Sequence, residues 1–339
     1  MSPIRIRGVG AVSTAGWSAE ALLQAVRAGS PLPGAACNRP GDERPWPCDT
    51  RRVPPVPPEK IARHPRLRRV SAITRYSVAA ALEALSDAGH DPAAPPRDIG
   101  ILFCMMNGCV NYTGRFFHEV QRNPAQASPL IFPETVFNAP ASHIAALLGI
   151  DGAVSTLVGG PNTIMEAIDT ATYWINSGVV AECLIIAAEE CDWLSAEALT
   201  YYHPKLSAAE GAGALLLSAS GNGPQLSAVI GPLAYTSWQE RHQRLPELAV
   251  QTRPHLHGTA TLIDDRTGIP KLDRSEAAAW SGCTWNAVRS PKVVLGESMG
   301  ASVALQLALG TLEARATQQP VVISMPGANT AAYACVLTP

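Results

Sequence analysis

The apolar and polar positions of the chain fall into two rhythms, one of period two and one near 3.6. Residues 3–9 alternate as a strand does and run through Gly8, Gly10 and Gly16 into a helical period near 18–28. A second helical stretch, from about 70 to 88, sets Ile73, Ala80, Ala81, Leu82 and Leu85 on one face and stops at Gly89. Residues 99–104 form an unbroken apolar run, the pattern of a strand covered on both faces. Past Phe132-Pro133 another helix is expected near 138–148. Residues 153–158 lead as a strand into Gly159-Gly160-Pro161-Asn162-Thr163. A long helix then reaches Gly178, and the apolar strand 183–188 follows. Strand, tight turn, helix and strand make a βαβ unit over a parallel sheet. Strands are expected again at 210–219, 225–236, 292–295, 320–324 and 331–337, with helices near 274–281 and 300–316. Residues 30–60, rich in proline, arginine and glycine, read as an irregular surface excursion.

Composition narrows this to a well-buried globular α/β protein. Of 339 residues 47% are apolar and 16% charged, a composition whose surplus apolar surface an interface could absorb. A net charge of −2 gives no bulk attraction to nucleic acid or to an anionic membrane. The eight cysteines form no CxxC pair and no cluster with histidine, which suits reduced thiols and no zinc site. No apolar run reaches the ~18 residues of a membrane span, and the start lacks a signal-peptide stretch. A soluble, cytoplasmic protein is the expectation.

Five motifs, in order and spacing, carry a resemblance to the β-ketoacyl synthase family over essentially the whole chain. Arg7-Gly-Val-Gly-Ala-Val-Ser-Thr-Ala-Gly16 is similar to the family's first strand and loop. Phe132-Pro-Glu-Thr-Val-Phe-Asn-Ala-Pro-Ala-Ser-His143 resembles the stretch before its nucleophile. Glu210-Gly-Ala-Gly-Ala-Leu resembles a Gly-Glu-Gly-Ala-Gly signature. His257-Gly-Thr-Ala-Thr261 with Asp265-Arg266 resembles His-Gly-Thr-Gly-Thr and its following Asp, and Lys292-Val-Val-Leu-Gly-Glu297 lies where the family has Lys-Ser-x-x-Gly-His. The resemblance implies a thiolase-like α/β fold of five layers, αβαβα, from two similar halves, here 1–220 and 221–339, and pairing as dimers through the central region.

A decarboxylating condensation needs a thiolate at a helix N-terminus, two donors for the enolate and amides for the oxyanion. By the family's spacing, counting forward from Gly152 or back from Gly178 lands on Pro161, which has no nucleophile but suits the first residue of a helix. A local gap moves the position to Val158 or Asn162, and neither supplies a thiol. Thr163 is the only nearby hydroxyl, with no adjacent base evident. His257 keeps the first histidine position, either as a working donor or as a loop histidine inherited with the fold. Glu297 replaces the second, and would repel a malonyl carboxylate or pair with Lys292, which keeps the family's lysine. In the closing loop Ser324 survives, while Pro326 and Ala328 stand where the family has its gating Phe and glycines.

Two further groups have bland and functional readings. Arg63, Arg66, Arg68 and Arg69 are either a solvated face or a dock for an acidic carrier protein. Met105, Met106, Tyr112, Phe116 and Phe117, with Cys104 and Cys109, are either core or a bulky plug at the dimer interface near the acyl tunnel. The chain thus resembles the chain-length factors of type II polyketide or fatty-acid-like synthases, with aromatic, polyene and aryl-polyene products all open. It is trimmed at about 192–206 and has Pro161 where those factors often carry glutamine. The implied partners are an active ketosynthase, in a heterodimer, and an acyl carrier protein delivering acyl groups on phosphopantetheine, with no bound cofactor. The rivals are an acyltransferase or malonyl-carrier decarboxylase using His257 and Glu297, and a homodimer that sequesters acyl chains.

Overall fold

The computed structural model describes residues 3–39, 48–60, 64–256, 258–327 and 330–339. Arg63, His257 and Ala328 therefore lie outside the described residues. The first half runs β1 (Arg5–Val12), α1 (Ala19–Ala28), β2 (Ala35–Cys37), β3 (Cys48–Arg51), α2 (Ala72–Asp87), β4 (Ile99–Met105) and α3 (Val110–Arg122). It continues through α4 (Ala139–Leu148), β5 (Val154–Val158), α5 (Thr163–Asn176), β6 (Glu182–Glu189), α6 (Trp193–Tyr202), β7 (Ala208–Ala209) and β8 (Gly211–Ser218). The second comprises β9 (Gln225–Tyr235), α7 (Trp238–Thr252), β10 (Ala260–Ile263), α8 (Pro270–Trp280) and β11 (Trp285–Arg289). It ends with α9 (Pro291–Leu295), α10 (Ser302–Thr317), β12 (Val321–Met325) and β13 (Thr330–Thr338).

The long sheet has the order β11-β10-β12-β13-β9-β1-β8-β6-β4-β5 and is joined in its middle where Arg5 faces Gln225. Cut there, both halves repeat one plan. Numbered along the chain, the five strands of each half lie in the order third, second, fourth, fifth, first. In each, the first three in that order are parallel and the last two pairings antiparallel. Strand periodicity distributes the core. In β4, Ile101 and Phe103 face α2 and α4, while Leu102 and Cys104 face α1, α5 and α10. Those three helices are also packed by Ile263, Ile323 and Cys335 of the second sheet, whose opposite face is covered by α7 and α8 through Leu245, Leu248 and Trp280. Helix, sheet, helix, sheet, helix is the resulting stack, the thiolase-like α/β architecture.

Close packing of β1 on α2 depends on two glycines. A Cβ on Gly10 would lie 2.0 Å from the Ala80 carbonyl oxygen, and one on Gly8 2.0 Å from that of Ala84. The glycines within the first strand thus serve helix–sheet contact.

Several expectations need correction. Residues 292–295 are not a strand but the helix α9. Pro291 starts the helix, and the edge strand is β11, which alternates half-buried and exposed. The excursion at 30–60 contains β2 and β3, and β3 pairs with β2 on one side and β7 on the other. Helices α3, α6 and α7 and strand β10 were unforeseen. Helix α3 is amphipathic but has no fully buried residue, and α7 carries Pro246 inside it, which interrupts its run.

Candidate functional site

A cavity of about 270 Å³ lies at the carboxyl ends of β4, β10 and β12, between the start of α5 and helices α6 and α7. Its wall holds three of the residues singled out by spacing, Pro161, Lys292 and Glu297, together with Met106. A larger depression of about 780 Å³ elsewhere is lined by Arg5, Arg7 and Arg315. Their guanidinium groups are already bonded to Gly223, Glu182 and Asp87, so it is a solvated groove and not a site.

The strongest feature of the cavity wall is a buried ion cluster. Lys292 Nζ lies 2.7 Å from Asp265 Oδ1 and 2.7 Å from Glu297 Oε2. Burial alone would lower the lysine pKa, but the two carboxylates outweigh it and raise the pKa above its ordinary value. The Glu297 carboxylate is occupied on its other oxygen too, where Oε1 accepts from Ser302 Oγ and the Met299 amide, both at 2.8 Å. Its backbone is stitched to the β7 region, with the amide donating to Ser207 at 2.8 Å. Asp265 accepts from Gln306 Nε2 at 3.0 Å. Behind this, Glu276 accepts from the Asp265 amide at 3.0 Å and from Ser324 Oγ at 2.5 Å, and Ser324 accepts from Trp280 Nε1 at 2.9 Å. Burial, reinforced by Asp264 and Asp265, pushes the Glu276 carboxyl up to about 8, which favours its protonated form near pH 7.

At the position where the family's spacing expects the nucleophile, Pro161 supplies none. Pro161 lies in the turn before α5 and is not its first residue, as spacing suggested. The helix begins at Thr163 with Asn162 at its cap. Asn162 does not cap through its side chain. Its Nδ2 donates instead to Ala331 O at 2.9 Å and Met325 O at 3.3 Å, tying the helix start to the second half. No cysteine lines the cavity among the described residues. Desolvation pushes the thiols of Cys109, Cys183, Cys191 and Cys335 up to about 12, and Cys104 is raised further. In the closing loop the Pro326 carbonyl accepts from Tyr235 OH at 3.0 Å and the Gly327 carbonyl from Arg241 Nε at 2.9 Å. Pro326 has no N–H to offer an oxyanion.

The expected tunnel residues separate. Met105 is core, whereas Met106 is 38% exposed and faces the cavity. Tyr112, Phe116 and Phe117 sit on α3. There Tyr112 OH donates to Arg69 O at 2.8 Å and Phe116 packs on Phe132 at 5.4 Å between ring centres, while Phe117 is exposed. Phe117, Phe137 and the edge-strand residues Val154 and Val158 leave large apolar side chains exposed. Arg66, Arg68 and Arg69 are exposed on a short turn at Pro65–Arg69. Sequence reasoning missed Tyr202, Trp238, Arg241 and Glu276 in the cavity wall. Their helices α6, α7 and α8 bring them there, and none stands in a motif.

Two outcomes follow from the ion cluster. Lys292→Met leaves Asp265 and Glu297 buried and uncompensated, and is expected to cost about 3–5 kcal/mol in denaturant unfolding, with Glu297→Gln added restoring part of it. For Glu276 the folded state binds the proton more tightly than the unfolded chain. Stability from this group is therefore full below about pH 4.5 and lost as pH rises toward about 8. Glu276→Gln is expected to gain on the parent across that window, by roughly 2–4 kcal/mol at its upper end. A constant difference between pH 5 and 8.5 would contradict the assignment.

Comparison with curated proteins gives no match. Among solved structures, a chain of the ishigamide ketosynthase/chain length factor superposes with TM-score 0.83 at 19% identity, covering 99% of both chains. A chain of the AntDE:AntF complex, a type II PKS acyl-carrier protein with its ketosynthase bound to the hexaketide, gives 0.79 at 16%, covering 99% of both. The ketosynthase ApeO in complex with its chain length factor ApeC from Xenorhabdus doucetiae gives 0.76 at 16%, covering 99% of this chain and 98% of that one. At such identities these likenesses show the fold alone. Residues 1–191, more than half of the sequence, match the profile of the beta-ketoacyl synthase N-terminal domain, and the chain belongs to the beta-ketoacyl synthase family.

Proposed function

We propose that this chain is a non-catalytic, chain-length-factor-like subunit, built of halves 1–220 and 221–339, that pairs with an active ketosynthase in a cytoplasmic type II polyketide or fatty-acid-like synthase. The observation that carries the reading is Pro161 at the start of the α5 turn, facing a cavity with no thiol among its described lining residues. Glu297 in place of the second histidine supports it, because its carboxylate is locked to Lys292, Ser302 and the Met299 amide and offers no donor to an enolate. The same saturation counts against the decarboxylase or acyltransferase reading, in which Glu297 would act as acid or base with His257.

The uncovered face of α3, Phe132, Phe137 and β5 is the surface proposed for the ketosynthase partner. Exposed Arg66, Arg68 and Arg69 are proposed to receive an acidic acyl carrier protein, which brings acyl groups on phosphopantetheine. No helix among the described residues is long and apolar enough to cross a membrane. A homodimer that sequesters acyl chains would use the same face on itself.

Incubated alone with a malonyl-loaded carrier, the purified chain is expected to release carbon dioxide at the background rate, and Pro161→Cys is expected not to restore condensation. Release at enzymatic rates, abolished by His257→Ala, would overturn the reading. Co-expressed with a cysteine-bearing ketosynthase, the chain is expected to purify as a one-to-one complex. Phe117→Asp with Val158→Asp should abolish that complex while leaving the melting temperature of the isolated chain nearly unchanged, since both side chains are exposed. A stable homodimer that ignores the ketosynthase would favour the sequestering alternative.

A further inference from the structure

Arg241 is the feature of the cavity that no part of the reading above employs. It projects from α7 and is only 5% exposed. Its Nε donates to Gly327 O, and its guanidinium lies 4.6 Å from the centre of the Trp238 ring. Its Nη1 is buried with no partner, and no carboxylate ion-pairs with it among the described residues. A buried charged donor left unmet costs ~1–3 kcal/mol or more, so the group points to an acceptor supplied from outside the chain.

The charges around it select that acceptor. Lys292 faces both Asp265 and Glu297, and Arg241 brings the set to zero: two cations, two carboxylates. Asp273, whose carboxylate is held by the Thr267 and Gly268 amides, adds a negative charge to the same wall. A ligand carboxylate would put a further negative charge into this low-dielectric space, whereas a carbonyl oxygen satisfies Nη1 without one. The rest of the wall, Met106, Leu199, Leu206, Trp238, Leu272 and Met299, is apolar. At about 270 Å³ the space falls just below the ~300–1,000 Å³ of typical small-molecule sites, so the ligand is short.

We infer that the cavity is a selective receptor for a short, neutral acyl compound, with Arg241 Nη1 as the anchor of its carbonyl oxygen, and that it rejects carboxylates of the same length. The inference rests on the non-catalytic reading, since it treats the cavity as a place where a ligand stays. An amide, ketone or thioester shares the required chemistry, and the probes separate the sources.

The test titrates the purified full chain with hexanamide, S-hexanoyl-N-acetylcysteamine and hexanoate, read by calorimetry and by the fluorescence of the tryptophans. One or both neutral probes are expected to bind and raise the melting temperature, with hexanoate at pH 8 at least about tenfold weaker. Arg241→Gln is expected to weaken the neutral probes about tenfold, and Arg241→Lys less, while the melting temperature without probe changes little. A purely structural arginine would lower that temperature and leave the preference intact. If neither variant folds, the amide-to-carboxylate preference of the parent decides. Equal binding of hexanamide and hexanoate, or binding of no probe, overturns the inference. A chain that binds none yet forms the one-to-one complex keeps its proposed role. One that binds the thioester and turns it over loses that role and keeps the site.

Discussion

An ammonium group held between two carboxylates, out of water, governs the centre of this protein. Each of the charges on Lys292, Asp265 and Glu297 would cost several kcal/mol to bury alone, and each is tolerable only because the others are within 2.7 Å of the lysine. The three come from different elements. Asp265 follows β10, Lys292 lies in α9, and Glu297 stands before α10, where Ser302 at the head of that helix also binds it. The cluster therefore sets where β10, α9 and α10 meet. It also removes its members from chemistry. A carboxylate with both oxygens committed is a poor base, and a lysine doubly paired is a poor general acid.

The neighbouring groups follow from that commitment. Glu276 sits behind Asp264 and Asp265, and burial together with these two carboxyl groups favours its protonated form. On the other side Arg241 balances the set from across the cavity without touching a carboxylate. Lys292, Asp265, Glu297 and Arg241 together thus carry no net charge.

Much of the fold could be read from the chain. The period-two exchange of faces in β4 and β6, and the glycine-flanked turn before α5, identify strands buried on both sides and a parallel βαβ unit whatever their surroundings. Reading failed where tertiary context decides. The Val293-Val294-Leu295 run has the composition of a strand, yet Pro291 and Gly296 bound it tightly enough to make a single helical turn. Helix α3 shows no fully buried stripe because, among the described residues, its apolar side is only partly covered. For the site, Pro161, Lys292 and Glu297 were legible from spacing because each occupies a motif position. Arg241 was not. It lies in an α7 interrupted by Pro246, within a polar stretch where a buried arginine has no pattern to betray it.

The uncovered face and the cavity are linked through one short segment. Met106 borders the cavity, and α3, four residues on, opens the apolar face. Between them the backbone is clamped by two buried carboxylates at the end of β6. Glu189 accepts from the Met106 and Asn107 amides, and Glu190 from the Asn111 amide at 2.8 Å and the Ile73 amide at 3.1 Å. A turn held by that many bonds is not a flexible connector, so a load on α3 is borne by the same backbone that shapes the cavity wall at Met106. A protein seated on α3 and β5 would thus fix the rim of the cavity without entering it. On the non-catalytic role proposed above, contact between the proposed docking face and the pocket is where influence on a neighbour would be exerted.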